Sequence, residues 1–288
     1  MRRLVVPLFV MLASCASAGS AQAVRGAGAA ALQPIGKWSV DYGIDECRLV
    51  RSFARGDVQA TVQFALNGPY PDTPPELTVL WPAMMASPSA RTGKVPFDVT
   101  IDSASSQQSA MAWVLPGTTP ATSIVYVEDT SPFADAIAAD AKAGRPTLLT
   151  MTHKQQTITI ALDPLQRPLA ALRACMDAQV RTWGYDPAVL RGLSQRPRPV
   201  GNPGEWFKAS DMPNVLTNEE QNAGVQVRLD IDTAGTIVGC HILRAGGNAQ
   251  YQALTCDLFR KRGRFKPALD AAGQPVSSMW ISRVFSSG

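Results

Sequence analysis

The sequence has only two histidines, His153 and His241, and none of its five cysteines forms a Cys-x-x-Cys pair. Zinc and similar metals are held by closely spaced Cys and His ligands, so these gaps predict a protein without a metal centre. Charged residues are also scarce, at 17% of the chain, and the net charge of +4 is spread over scattered arginines. A nucleic-acid-binding protein concentrates positive charge on one face, so we expect no nucleic-acid partner.

Motifs for nucleophilic catalysis are absent as well. There is no Gly-x-Ser-x-Gly sequence, and no pattern obliges a serine, a histidine and an acid to meet. The acidic group Asp41, Asp45 and Glu46 is typical of a solvated loop rather than of paired catalytic carboxylates. We therefore expect no catalytic residue, no cofactor and no enzymatic activity. An envelope hydrolase or ligand-binding factor, with its cleft in the first domain, is the alternative.

Long apolar runs are missing except at the N-terminus. Arg2-Arg3 precedes the apolar run Leu4–Ala13, which is too short to span a bilayer, and this pattern predicts a secretory signal peptide over residues 1–23. Ala21-Gln22-Ala23 fits the cleavage rule, whereas Leu12-Ala13-Ser14-Cys15 resembles a bacterial lipobox that would lipidate its cysteine, Cys15. We expect the chain in the periplasm of a Gram-negative envelope, with an outer-membrane lipoprotein as the alternative.

Four cysteines remain after the leader: Cys47, Cys175, Cys240 and Cys256. An even set in an oxidising compartment predicts two disulfides, for which three connectivities are possible. The segment Ser194–Pro203, rich in proline and arginine, separates one pair from the other. The pairing that respects this division joins Cys47 to Cys175 and Cys240 to Cys256.

Short apolar runs separated by Pro, Gly and Ser predict a β-rich first domain over residues 38–193, after a flexible segment at 24–37. In the clearest run, Val58–Leu66, the larger apolar residues Val58, Val62, Phe64 and Leu66 share one parity and therefore one face of a strand. Two amphipathic helices are expected, one after Ser131-Pro132 and one from Pro168.

An opening Trp38-x-Val40 strand, the early Cys47 and a late hairpin before a helix are features of this first domain. In these features it resembles the periplasmic β-rich domains of the invasion-associated locus B type. The resemblance implies a fold and carries no implication about activity.

A second pattern follows the proline-rich linker at 194–203 and covers residues 204–288. Clean alternation over residues 225–232, a turn at 233–235 and a returning strand at 236–243 predict a hairpin. Tyr251–Arg262 has the pattern of a helix, and Val276–Phe285 is expected as a last strand. The whole chain is therefore expected to be α+β, with a small α/β domain built on a three-stranded antiparallel sheet.

Four short motifs succeed one another in this second domain: Gly224-Val225-x-Val227, Asp232-x-x-Gly235, Phe265-x-Pro267-Ala268 and Gly273-x-Pro275-Val276. In this order they resemble the C-terminal domain of the TonB family of energy transducers over about Gly204–Phe285. That resemblance implies that the free edge of the closing strand binds a short segment of a TonB-dependent outer-membrane receptor, by backbone hydrogen bonds.

By the same resemblance, four residues of the closing strand lie on the partner side: Ser278, Trp280, Ser282 and Val284. Met279, Ile281 and Phe285 would then turn to the core. The alternative is that Trp280 packs beneath the helix. The chain shows neither the membrane helix nor the long proline-rich spacer of a working TonB, so we expect a binding or scaffolding role without energy transduction.

Overall fold

Alternating apolar side chains between residues 33 and 162 build one large antiparallel sheet. In the computed structural model, which describes residues 31–43, 46–82, 93–104, 107–116, 122–127, 129–211, 224–244 and 248–284, nine strands join in the order β1-β2-β3-β4-β7-β6-β5-β8-β9. Their bounds are β1 Gln33–Tyr42, β2 Cys47–Arg55, β3 Val58–Leu66, β4 Glu76–Pro82, β5 Gly93–Ile101, β6 Gln108–Pro116, β7 Thr122–Val127, β8 Thr147–His153 and β9 Gln156–Leu162.

The two ends of the large sheet meet. Leu32 forms a parallel bridge to Ile160 of β9, and its amide donates to the Thr159 carbonyl at 2.8 Å. The expectation of a flexible segment at 24–37 is therefore wrong for residues 32–37, because Leu32 is buried and β1 already begins at Gln33. A small-residue composition before Trp38 concealed this pairing.

Strand β3 has the predicted bounds and nearly the predicted face. Val62, Phe64 and Leu66 are buried in the core of the large sheet. Val58 is 43% exposed, because it lies at the end of the strand next to the turn at Gly56. The alternation rule holds for the strand interior and fails at its end, where no neighbouring element covers the side chain.

Three helices accompany the large sheet, one between β7 and β8 and two after β9, rather than the two that were expected. Helices α1 (Ser131–Ala143) and α2 (Gln166–Thr182) correspond to the predicted pair. The additional helix α3 (Pro187–Arg191) is one turn long, and the Asp186 carboxylate caps it by accepting from the Ala188 amide at 2.8 Å. So short a helix shows no apolar periodicity, which is why the pattern did not indicate it.

A three-stranded antiparallel sheet, called here the small sheet, forms from the last third of the chain. It contains β11 (Val225–Ile231), β12 (Ile237–Arg244) and β16 (Ser278–Val284) in the order β12-β11-β16. Helix α4 (Ala249–Arg262) packs on one face of it. A second core of Trp206, Val227, Tyr251, Phe259 and Phe265 among others fills that space. The chain is therefore α+β, as expected.

The segment at 194–203 is not a free linker. Its strand β10 (Arg198–Pro199) pairs with β13 (Phe265–Lys266), and Ser194 and Gln195 bond to the backbone of Leu269 in β14 (Ala268–Leu269). Strand β14 in turn pairs with β15 (Pro275–Val276). Proline lacks an amide donor but still fits a two-residue ribbon at a sheet edge, so the segment is held in place despite its composition.

Two short 3-10 turns, Pro203–Trp206 and Ala209–Asp211, complete the described elements. In the part of the chain that the structure describes, no helix is long and apolar enough to cross a membrane. The signal peptide, the Cys15 lipidation candidate and Phe285 lie outside the described residues.

Candidate functional site

The small sheet is sandwiched between helix α4 and the large sheet. One face of β16 meets the second core, whereas Met279 is fully buried in the core of the large sheet and Ile281 packs against that core. The Tyr70 hydroxyl donates to the Met279 carbonyl at 2.6 Å. Burial raises the pKa of Tyr70 to about 12, so this donor stays protonated at neutral pH.

A polar cluster holds the start of β16 to the helices. The Tyr185 hydroxyl shares its single proton between two acceptors, the Ser278 carbonyl at 3.1 Å and the Asp230 carboxylate at 3.0 Å. The guanidinium of Arg228, whose side chain is only 6% exposed, also bonds to Asp230 and lies 4.6 Å from the ring of Trp183. Both charges are paired, which offsets part of their desolvation cost.

The other end of β16 is fixed by Arg283. Its guanidinium donates to the Tyr126 hydroxyl and to Glu76 Oε1, the latter at 3.2 Å. Burial and the nearby Glu76 carboxylate raise the pKa of Tyr126 above its ordinary value, although Arg283 opposes the shift. These contacts, together with those of Tyr70, hold both ends of β16 against the large sheet.

Between those two anchors, the outer edge of β16 is open. Among the described strands only β11 pairs with β16, so its second edge has no strand neighbour. That edge faces a groove of about 890 Å³, which four consecutive strand residues, 280–283, line on one side. Edge strands present backbone N–H and C=O groups that a further strand can bind.

The opposite wall of this groove, which we call the edge groove, comes from two distant segments. One is the loop after β3, with Asn67, Gly68 and Tyr70, and the other is the extended segment 194–198. Arg196 joins the two, because its guanidinium lies 4.2 Å from the centre of the Tyr70 ring and forms an ion pair with Asp72. The supposed linker is therefore a wall of the site.

Helix α2 stiffens the loop wall. Arg173 donates to three backbone carbonyls of that loop, those of Tyr70 at 3.0 Å, Pro71 at 3.2 Å and Thr73 at 2.9 Å. Burial lowers the pKa of Arg173 from its ordinary value, but a guanidinium remains charged at physiological pH. An arginine that satisfies three carbonyls fixes the loop, so the groove wall is preformed.

Two acceptor atoms in the edge groove are buried without a hydrogen-bond partner among the described residues: Asn67 Oδ1 and Glu76 Oε2. The other Glu76 oxygen is occupied by Arg283. Both atoms are shielded from solvent, so they belong to the packed wall of the groove and are not on its open surface.

Comparison with models of protein families, with curated proteins and with solved structures finds no match for this chain. The site is therefore interpreted from its own geometry.

None of the four residues expected on the partner side lies in open solvent, and Trp280 and Val284 pack in the second core. Ser278 is fully buried, Val284 is 9% exposed and Ser282 is half-buried. Trp280 packs edge-on against Phe265 of β13 at 5.3 Å and against Phe259 of α4 at 6.1 Å, so the alternative that it packs beneath the helix describes its side chain. A partner would meet this strand through its backbone edge. The partner-binding role of the four residues stays a prediction.

Both expected disulfides are present, Cys47 to Cys175 and Cys240 to Cys256. The first ties β2 to α2 inside the core of the large sheet, and the second ties β12 to α4. Disulfides persist in oxidising compartments, so this pair of bonds supports an exported protein.

Over the described part of the chain, no group of His, Cys, Asp and Glu gathers in a way that could hold a metal ion.

The two histidines lie away from the edge groove. His153 Nδ1 is 2.8 Å from the Pro96 carbonyl and its ring packs on Phe97. His241 Nε2 is 2.7 Å from the Asp230 carboxylate at the side of the small sheet.

A second cavity, of about 180 Å³, lies between α1, α2 and the loop at 71–75, and its lining is mostly apolar. Neither histidine lines it.

Sequence reasoning missed most of the edge groove. Its main polar residues, Asn67, Tyr70, Glu76, Arg196 and Arg283, come from segments that lie far apart in the chain and form no motif. The one available signal was the polar, proline-rich composition around residues 67–75 and 194–198, which indicates loops and does not show that they converge.

Proposed function

We propose that this chain is an exported interaction module of the cell envelope, which binds an extended segment of another protein as a fourth strand on β16. In this proposal a TonB-like second domain, residues 204–288, is docked on a β-rich first domain, residues 38–193. The observation that carries the proposal is the unpaired edge of β16, which opens on a preformed groove of about 890 Å³.

The groove has the dimensions of a peptide site. Four consecutive strand residues line it, and at about 3.4 Å per residue they offer roughly 14 Å of edge. Binding by strand addition draws its affinity from main-chain hydrogen bonds and its specificity from neighbouring side-chain pockets. Both ends of β16 are already fixed by Tyr70 and Arg283, so little ordering of the protein is needed when a peptide binds.

The order of strands and helix in the last third of the chain supports the TonB-like interpretation, and a receptor segment is the partner which that resemblance implies. The proposal does not include energy transduction. The alternative, an envelope hydrolase or ligand-binding factor, would use the apolar cavity between α1 and α2. Arg173, the most buried charge at that cavity, is committed to the loop carbonyls, so no observation favours this alternative.

The test is a selection of displayed nine-residue peptides on the full oxidised protein, followed by N-methylation of each amide of a selected peptide in turn. Strand addition predicts an alternating result, because only every second amide of an added strand faces β16. Methylation should abolish binding at those positions and be tolerated at the positions between them. A uniform response along the peptide would contradict strand addition.

Two variants locate the binding site. Gly68→Leu extends a side chain toward Ile281, since a Cβ there already lies 3.5 Å from Ile281 Cδ1, and should weaken peptide binding by filling the groove. Val238→Leu is the matched control on the opposite edge strand, β12, where the residue is 66% exposed. Equal effects of the two variants would contradict a partner site at β16. A dimer of this chain that dissociates when the peptide is added would also contradict it.

A further inference from the structure

We infer that the segment bound in the edge groove carries acidic residues beside its strand-forming stretch, and that Arg198 and Lys266 bind their carboxylates. This inference rests on the proposed function and names the chemistry of the bound segment. It begins from the antiparallel ribbon of β10 and β13, in which Arg198 stands directly opposite Lys266. Both side chains are exposed to solvent, so a bound segment can reach them.

The ribbon gathers cations on one side. Residues directly opposite each other in an antiparallel pair point to the same side, and neighbours along a strand point to opposite sides. Phe265 is buried in the second core, whereas Arg264 and Lys266 on either side of it are exposed. Arg198, Arg264 and Lys266 therefore share one solvent-facing side, which we call the basic face.

The basic face has no counter-charge of its own. Within the described residues none of its three cations forms an ion pair, and Arg264 donates to two backbone carbonyls at the end of α4. The two paired stretches, residues 194–200 and 264–270, contain one acid, Asp270, whose carboxylate accepts from two amides of its own turn. Like charges directly opposite in a sheet repel each other, so an anion bound between Arg198 and Lys266 would remove a destabilising contact.

The basic face continues the edge groove. Arg198 lines the groove, as does Arg196, whose charge is neutralised by Asp72. Phe265 of β13 packs on Trp280 at 5.3 Å, and Trp280 is the first of the four residues of β16 that line the groove. A segment added to β16 therefore meets the basic face where it leaves the groove beyond Trp280.

A peptide carboxylate fits this face better than a membrane surface does. Surfaces that bind membranes insert apolar side chains among the lipids as well as attracting the headgroups. In the two paired stretches, all of which the structure describes, Val200 is the one large apolar residue that is exposed, at 49%. The guanidinium of Arg198 offers a planar fork of donors that matches a carboxylate, and Lys266 adds a point charge beside it.

The experiment adds a charged tail to a peptide that binds the edge groove. A nine-residue peptide selected on the full oxidised protein is extended by three glutamates or three glutamines, at its N-terminus or at its C-terminus. At one terminus only, we expect the glutamate tail to strengthen binding about fivefold over the glutamine tail, as two exposed ion pairs would at low ionic strength. High salt should remove this gain, because exposed charges are screened.

Double variants of the protein locate the gain. Arg198→Gln/Lys266→Gln should abolish the difference between the two tails, and Arg198→Glu/Lys266→Glu should reverse it in favour of a lysine tail. Arg55→Gln/Lys142→Gln is the control, since it removes the same charge from exposed positions in the first domain, and it should keep the gain. Each comparison is made between two tails on the same protein, so a change in protein stability does not obscure it.

The possible outcomes separate the two proposals. If no peptide is enriched in the selection, the proposed strand-binding function is wrong and this inference fails with it. If peptides bind but the two tails are equivalent at both termini, or if the control variant loses the gain as well, only the present inference is wrong. Sedimentation with phosphatidylglycerol vesicles gives the remaining outcome: equivalent tails, together with vesicle binding that Arg198→Gln/Lys266→Gln removes, would assign the basic face to a membrane and overturn the inference.

Discussion

Two glycines in equivalent turns allow a quantitative test of how closely β13 approaches the turn between β11 and β12. Gly235 and Gly273 each end an Asp-x-x-Gly turn, in which the glycine amide bonds to the aspartate carbonyl, and they have φ values of 81° and 76°. The side chains of Asp232 and Asp270 accept the same two amides in both turns. Only their surroundings differ.

A Cβ at position 273 would meet nothing within 4 Å, whereas a Cβ at position 235 would lie 2.0 Å from the Phe265 carbonyl oxygen. Gly273→Ala should therefore cost only the left-handed strain of an L-residue, about 1 kcal/mol. Gly235→Ala adds the displacement of β13, the loss of the bond from the Phe265 amide to the Gly235 carbonyl at 3.2 Å, and the disturbed packing of Phe265 on Trp280. We expect about 3 to 5 kcal/mol for this change.

Equilibrium urea unfolding, followed by tryptophan fluorescence, measures both changes. Trp206 and Trp280 lie in the second core and report on the affected region. Gly235→Ala should lower the midpoint markedly and Gly273→Ala only slightly, with similar slopes for both variants and wild type. Equal destabilisation by the two substitutions would refute the close approach of β13 to the Asp232 turn.

Three further predictions concern stability. Replacing both Cys240 and Cys256 with alanine should destabilise the protein by about 3 kcal/mol in urea, because the bond closes a separation of 16 residues. Burial raises the pKa of Tyr70 to about 12, so the stability that its hydroxyl supplies should be full below pH 10 and lost as the pH rises through 12, and Tyr70→Phe should flatten this alkaline loss. Burial of Asp140 raises its pKa, but hydrogen bonds from Ser103, Arg145 and Thr147 outweigh that effect and hold the pKa below its ordinary 3.8. Asp140→Asn should therefore cost about 1 to 2 kcal/mol at pH 7, and the difference should shrink as the pH falls below 3.8.

Each of these expectations has a contradicting result. An unchanged urea midpoint in the double cysteine variant would argue against a stabilising bond between β12 and α4. Alkaline unfolding curves that coincide for wild type and Tyr70→Phe would argue against the hydroxyl bond to Met279. A cost of Asp140→Asn that stays constant from pH 7 to pH 3 would show that the charge of the carboxylate is not what stabilises the helix end.

Much of the fold could be predicted from local patterns. Strand β3 and the hairpin of β8 and β9 follow from alternation, because each strand has one face in the core and the face repeats every second residue. The disulfide pairing followed from the even number of cysteines and from the segment that divides them. These features depend on residues close in sequence, or on a count, so a single sequence reveals them.

The errors share a physical cause. Residues 31–37 and 194–203 have loop-like compositions, yet each is held by backbone hydrogen bonds to a distant strand, which composition does not show. Strand β16 is covered on both faces, by α4 and by the large sheet, and its own side-chain pattern does not show the second covering element. The edge groove arises where these distant pairings meet, and no local pattern could predict it.

The central claim is that the outer edge of β16 binds an added strand, and amide hydrogen exchange tests it most directly. Exchange at residues 279–283 of the full oxidised protein is measured with and without a saturating selected peptide. The account predicts that the edge-facing amides of β16 become strongly protected in the complex, while exchange along β12 stays unchanged. Protection that appears on β12, or that is absent from β16 although the peptide is bound, would contradict it.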